Sequence, residues 1–140
     1  MQTLIPKTVS HKMEDISNLK IKQFQHETST WKRMLDFMQE ENIHLKNRLS
    51  DVLKESFNKK MLDDVEIFQN NFIKADELII LLKNELVGIE KSLLTKFFVP
   101  EEMNRAIEIP IKKMRINIDT AEKHFTKMNN DFNNYLSENL

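Results

Sequence analysis

Apolar side chains recur along the middle of the chain at alternating steps of four and three residues. The stripe begins at residue 61 and continues without interruption to residue 93. Its members are Met61, Val65, Phe68, Phe72, Ala75, Ile79, Leu82, Leu86, Ile89 and Leu93. This spacing places them on one face of an α-helix, and a stripe of this length needs another helix to cover it. The pattern predicts a helix over about 60–97 inside a coiled-coil bundle.

Two further stripes with the same spacing lie on either side of this one. The earlier stripe predicts a helix over about 17–56 and comprises Phe24, Thr28, Trp31, Leu35, Met38, Asn42, Leu45, Leu49, Val52 and Ser56. The later stripe predicts a helix over about 101–137 and comprises Ile107, Ile111, Met114, Ile118, Ala121, Phe125, Met128, Phe132 and Tyr135. Residues 1–16 do not join the phase of the earlier stripe. We therefore expect a loose lead-in there, followed by one domain over 17–140.

Local breaks in the pattern predict where the helices end. The first two stripes differ in phase by two residues at 56–60, which predicts a turn. Asn58 either adopts the left-handed conformation in this turn or caps the second helix, and a single bent helix is the alternative interpretation. Pro100 ends the second helix and suits the first turn of the third. Pro110 predicts a kink, or a separate short helix over 101–108.

Folding the chain at residues 58 and 100 makes sequential helices antiparallel and aligns the three stripes in layers. The layers combine Phe24 with Leu93 and Ile107, Trp31 with Leu86 and Met114, Leu35 with Leu82 and Ile118, Met38 with Ile79 and Ala121, and Leu49 with Phe68 and Phe132. The predicted fold is all-α: an elongated antiparallel three-helix coiled-coil bundle. Dimerisation is left open.

One further layer combines Asn42 with Ala75 and Phe125. A buried amide in a coiled coil fixes the register of the helices at some cost in stability, and we assign this role to Asn42. The alternative is that Asn42 only satisfies polar groups beside Thr28 and Ser56.

Composition and charge narrow the classes of function. The 140 residues include one glycine, three prolines and no cysteine, and the net charge is −1. Few turn-forming residues argue against strand-rich folds and glycine-rich phosphate loops. The near-zero charge disfavours nucleic-acid binding. The absence of cysteine excludes disulfides and thiolate metal sites and is compatible with the cytoplasm. The apolar run 78–82 is too short to span a membrane, and the N-terminus has no signal-peptide pattern.

No residue pattern points to catalysis. Glu41 and His44 have the Glu-x-x-His spacing of carboxylate-bridged di-iron bundles, but a second copy is missing and His44 lies away from the stripe. The paired acids at 63–64 and 101–102 are explained by helix N-termini, where negative charge is favourable. We expect no enzyme, no catalytic residue, no metal ligand and no cofactor.

A second apolar row on the middle helix exceeds what a three-helix bundle needs. Its members, seven residues apart, are Ile73, Ile80, Val87 and Leu94. Monomers rarely leave extended apolar patches bare, so the row predicts an interaction surface for a second chain. Two alternatives are that the neighbouring helices cover the row, or that Val9, Met13 and Ile16 fold back over it.

Three sequence runs carry a resemblance to a known family. They are residues 31–37 (WKRMLDF), 47–52 (NRLSDV) and 68–73 (FQNNFI). The first two helices resemble a family of small all-helical Bacteroidetes proteins without a characterised function. The resemblance implies a bacterial source and no activity. The three-helix architecture is also similar to spectrin-type repeats, but without a tandem copy this similarity implies no function.

These observations favour a non-enzymatic protein-interaction or scaffold protein in the cytoplasm. Its partner is another protein or a second copy of the chain, bound through the middle helix. The alternative is a helical bundle that binds a metal ion or small ligand through carboxylates and histidines. Nucleic-acid regulation ranks last, because the chain has no basic stripe.

Overall fold

The computed structural model is a bundle of three helices and describes residues 4–56, 58–94 and 100–140, with side chains for 19–55, 58–94 and 105–140. Helix α1 spans Leu4–Ser56 and α2 spans Leu62–Leu94, with a short 3-10 turn at Lys59–Met61 before α2. Helix α3 spans Pro100–Asn139. No strand occurs in the part of the chain that the structure describes. The predicted all-α, three-helix fold is confirmed.

The three predicted stripes form one hydrophobic core. Trp31, Leu86 and Met114 are all buried in it, one from each helix. The third stripe departs from the prediction at its end, because Leu136 is buried whereas Tyr135 is only half-buried. Thr28 and Asn42 are the polar members of the buried set among the described side chains.

Cross-helix contacts show how the three helices pack and give the relative direction of α1 and α2. Lys83 of α2 pairs with Asp36 of α1 at 2.6 Å, whereas Asp76, earlier in α2, pairs with Lys46, later in α1. Helices α1 and α2 are therefore antiparallel. The ring centroids of Phe68 and Phe132 lie 5.2 Å apart and link α2 to α3. Between α1 and α3, Arg115 forms two 2.9 Å contacts with the Glu27 carboxylate.

Asn58 starts the reversal between α1 and α2. Its backbone is extended, with φ −134° and ψ 137°, and its side-chain oxygen accepts a hydrogen bond from the Lys60 amide at 3.0 Å. The Asn58 carbonyl accepts a second hydrogen bond from the Met61 amide at 2.9 Å. Asn58 therefore caps the 3-10 turn that leads into α2, and not α2 itself, and the predicted left-handed conformation is wrong. The bent-helix alternative is also wrong, because α2 packs back along α1.

The start of α1 differs from the prediction. Helix α1 extends to Leu4 instead of beginning near 17, with Pro6 in the first turn, where a missing amide hydrogen costs no helical bond. The side chains of 4–18 lie outside the described side chains, so the division of the chain at residue 16 stays a prediction. Helix α2 ends at Leu94. The predicted end at 97 lies outside the described residues.

Helix α3 continues through Pro110 as one helix, so the predicted separate helix over 101–108 is wrong. Proline removes one backbone hydrogen bond, but Pro110 lies on the exposed side of α3. Ile107 and Ile111 on the opposite side are both buried. Burial of these isoleucines holds the helix together across the proline.

Candidate functional site

A polar cluster lies within the core at the contact between α1 and α2. The Asn42 side chain is fully buried, and its Nδ2 donates hydrogen bonds to the Phe72 carbonyl oxygen at 2.9 Å and to Asp76 Oδ1 at 2.6 Å. The other Asp76 oxygen pairs with Lys46. The cluster therefore ties two points on α1 to one turn of α2.

One polar atom of this cluster lacks a hydrogen-bond partner among the described residues. Asn42 Oδ1 is buried and has no hydrogen-bond partner, which costs about 1–3 kcal/mol for an uncompensated polar atom. The amide orientation follows from its surroundings, because rotating it would point an oxygen at both the Phe72 carbonyl and the Asp76 carboxylate. The register-setting role of Asn42 stays a prediction, for which these bonds supply a physical basis.

The sequence pattern did not identify Asp76 as the partner of Asn42. The predicted layer paired Asn42 with Ala75, and Asp76 is the next residue, on the α1-facing edge of α2. The sequence did contain a pattern that could have predicted the pairing of Asp76 with α1. Asp76 and Lys46 both lie one position after the stripe residues Ala75 and Leu45, and oppositely charged residues at such flanking positions form interhelical pairs.

The second apolar row on α2 is exposed to solvent. The exposed fractions of Ile73, Ile80, Val87 and Leu94 lie between 46% and 69%. The neighbouring helices cover these side chains only in part and leave a large fraction of each exposed, so the alternative that they cover the row is wrong. The other alternative is that residues 9, 13 and 16 fold back over the row. Their side chains lie outside the described side chains, so this alternative stays a prediction.

Ile43 of α1 extends the row across the groove between α1 and α2. Ile43 lies one helical turn from Lys46 and from Gln39, while Ile80 lies one turn from Asp76 and from Lys83. Lys46 pairs with Asp76, and Lys83 donates to Gln39 Oε1 at 2.6 Å. The two isoleucines therefore face each other across these polar contacts.

We name Ile43, Ile73, Ile80 and Val87 the α1·α2 surface. Ile43 is 47% exposed, and the sequence pattern did not identify it, because a single apolar residue on a polar helix face gives no periodic signal. Two ion pairs cross this surface between α1 and α2, Lys46 with Asp76 and Lys83 with Asp36. The surface is therefore apolar with a neutralised polar strip through its centre.

Glu41 and His44, the pair with Glu-x-x-His spacing, lie in different surroundings on α1. Glu41 is half-buried and His44 is exposed on the outer side of α1. Among the described residues, no group of three or more His, Asp or Glu side chains is arranged to hold a metal ion. His26 and His124 are likewise exposed.

Four aromatic rings pack together near the end of the bundle where α1 connects to α2. Phe72 and Phe132 make an edge-to-face contact, with centroids 5.1 Å apart and planes at 90°. Phe68 contacts Phe132 at 5.2 Å and Tyr135 at 5.1 Å. The Tyr135 hydroxyl oxygen is buried without a hydrogen-bond partner. Burial raises the pKa of Tyr135 above its ordinary value of 10.0, and the nearby Asp64 carboxylate raises it further.

The raised pKa of Tyr135 predicts a specific loss of stability in alkali. The folded chain holds the phenolic proton more tightly than the unfolded chain. The resulting stabilisation is complete below the unfolded pKa and is lost as the pH rises through the folded pKa. Chemical denaturation from neutral to alkaline pH should show the wild type losing more stability than Tyr135→Phe. At neutral pH the two should agree within about 1 kcal/mol, because the variant loses only an unpaired hydroxyl.

Since Tyr135 is the single tyrosine in the chain, its phenolate absorbance reports this ionisation without ambiguity. The absorbance transition of the folded wild type should lie at higher pH than that of the denatured chain. Identical transitions, or identical pH profiles for wild type and variant, would contradict the prediction.

Comparisons of the chain with protein-family models, curated proteins and solved structures give no match. The resemblance to a Bacteroidetes family stays a prediction. Along the described residues, every helix falls short of the combined length and apolar character that crossing a membrane requires.

Proposed function

We propose that the chain is a non-enzymatic protein-interaction module that binds an amphipathic helix on the α1·α2 surface. One observation carries the proposal. Ile73, Ile80, Val87 and Leu94 are exposed at seven-residue spacing on a helix whose other apolar stripe already supplies a complete core. Exposed apolar rows at helical spacing typically mark protein-interaction sites.

A helix is the partner that fits the shape of this surface. Ile43 borders one side of the groove between α1 and α2, and the α2 row borders the other. A fourth helix lying along the groove would pack its apolar face between them, as in helix-in-groove recognition and four-helix bundles. Because the charges on the groove floor are already paired, the partner needs apolar residues more than complementary charge.

The expected affinity is modest. Complete burial of an isoleucine or valine side chain gives about 1.5–3 kcal/mol, and these side chains are already half covered. Four such residues then contribute roughly 4 kcal/mol, which is comparable to the lower estimates of the cost of association. A transient contact, or a larger interface that adds contacts elsewhere, is more consistent with this surface than a tight obligate complex.

Self-association provides the first test. Sedimentation equilibrium of the wild type should give a mass above the 16.7 kDa of one chain, increasing with concentration. Ile80→Glu should return the mass to that of a monomer, because a carboxylate at the centre of the surface would have to be buried without a partner. Ile116→Glu is the matched control. It makes the same change at an exposed isoleucine on α3 and should self-associate as the wild type does.

The results decide whether this surface is used, and whether the partner is a second copy of the chain or a different protein. Equal dissociation by Ile116→Glu would show that association uses another face and would remove the α1·α2 surface. A wild type that stays monomeric at all concentrations removes the second copy as partner. Site-specific photo-crosslinking from position 80 in the source cell, with position 116 as control, then tests a different protein. Equal labelling from both positions would contradict the proposal.

The predicted bacterial source and cytoplasmic location belong to this proposal and stay predictions. The metal-binding alternative gains no support from the positions of Glu41 and His44.

A further inference from the structure

A groove on the opposite side of α2, between α2 and α3, reaches into the core. Its floor is apolar and consists of Met38, Ala75, Ile79, Ala121, Phe125 and Met128. The groove has a volume of about 460 Å³. It lies apart from the α1·α2 surface, which uses the other edge of α2.

The depth of this groove follows from two alanines. Ala75 of α2 and Ala121 of α3 occupy adjacent layers in which most other core positions carry large side chains. The small side chains open the contact between α2 and α3. Met38 of α1, which lies behind this contact, therefore contributes to the floor. Methionine is flexible and polarisable and adapts to ligands of irregular shape.

The rim of the groove carries excess positive charge. Lys74 of α2, and Lys123, His124 and Lys127 of α3, line it, with Asp131 as the one acidic residue among them. Lys127 pairs with Asp131 and Lys123 pairs with Asp119, both at 3.0 Å. All four side chains are exposed, and such pairs contribute little and rearrange easily. Lys74 makes no ion pair with any described residue. An apolar floor beside an unpaired ammonium group is the environment expected for an anionic amphiphile.

We propose that the α2·α3 groove binds a single-chain amphiphile with a carboxylate head, of the fatty-acid class. The alkyl chain would cover Ala75, Ala121 and Met38, and the carboxylate would pair with Lys74 at the rim. The volume lies within the range of about 300–1,000 Å³ that is typical of small-molecule sites. The groove is open along one side, which suits a linear chain better than a compact polar ligand.

Calorimetric titration with laurate below its micelle concentration tests the proposal. Laurate should bind saturably to the wild type, whereas lauryl alcohol, with the same chain and no charge, should bind at least about tenfold more weakly. Lys74→Glu should weaken laurate binding by about tenfold or more, because it replaces the attractive charge with a repulsive one. Lys54→Glu, at an exposed position of α1 away from the groove, should bind laurate as the wild type does.

A second variant tests the floor independently of the rim. Ala75 is half-buried, so Ala75→Leu extends the side chain into the groove and should abolish binding, with folding checked by circular dichroism. Any of three results would overturn the proposal: no saturable binding, equal binding of laurate and lauryl alcohol, or unchanged binding by both Lys74→Glu and Ala75→Leu. None of these results bears on the α1·α2 surface, which carries the proposed function separately.

Discussion

Replacement of Phe132 by alanine is expected to lower the free energy of unfolding by about 4 kcal/mol. The Phe132 ring is fully buried and contacts the rings of Phe68 and Phe72, with centroids 5.2 and 5.1 Å away. Truncation removes the burial of a whole ring, leaves a cavity between α2 and α3, and deletes two aromatic contacts worth about 0.5–1.5 kcal/mol each beyond their area. Single domains of this size have about 5–15 kcal/mol of stability, so this one change removes a large fraction of it.

Urea denaturation followed by helical circular dichroism measures the effect. Phe37→Ala is the matched control, since Phe37 also lies within a helix but is 61% exposed. Its stability should change by no more than about 0.5 kcal/mol. If both variants lost the same stability, the aromatic cluster between α2 and α3 would not contribute as described.

Substitution of Asn42 by aspartate is expected to cost about 3–5 kcal/mol although the side chain hardly changes shape. Asn42 Nδ2 is 2.6 Å from Asp76 Oδ1, and the residue is fully buried. The variant replaces this donor with an oxygen, so two carboxylates would meet where an amide and a carboxylate now bond. Lys46 pairs with Asp76 and cannot neutralise both acids. Burying a second, uncompensated negative charge is the dominant cost.

Asn47→Asp provides the control for Asn42→Asp. Asn47 lies on the exposed side of α1, so the same chemical change there should alter stability by no more than about 0.5 kcal/mol. The two variants should be compared by urea denaturation at neutral pH and at low salt. Equal stabilities would mean that Asn42 is not held in a buried contact with α2, and would remove the basis for its register-setting role.

The sequence predicts the core well because coiled-coil packing is periodic. Each helix has to bury one continuous stripe, so spacing alone identified residues such as Leu35, Ile79 and Ile118 as buried. The rule fails at the end of α3, where Leu136 is buried and Tyr135 is half-buried. A straight helix drifts relative to a strict heptad, and at a helix end fewer neighbours hold the phase.

The features on which the two proposals rest were harder to predict from the sequence, for a different reason. Ile43 joins the α1·α2 surface only because α2 folds back and brings Ile80 opposite to it, and a lone apolar residue has no periodic partner in its own helix. The groove floored by Ala75 and Ala121 also needs two helices at once. Each alanine fits its own stripe, and the opening exists only where α2 and α3 align them.

The charges along the facing edges of α1 and α2 discriminate against misaligned hairpins. Lys46 lies opposite Asp76, and Gln39 lies opposite Lys83. Displacing α2 by seven residues in one direction keeps the apolar stripes matched but sets Lys83 against Lys46. Displacement in the other direction sets Lys83 against Lys32. Both nearest competing hairpins therefore bring two ammonium groups together, so Lys83 penalises the wrong pairings that apolar spacing alone would tolerate.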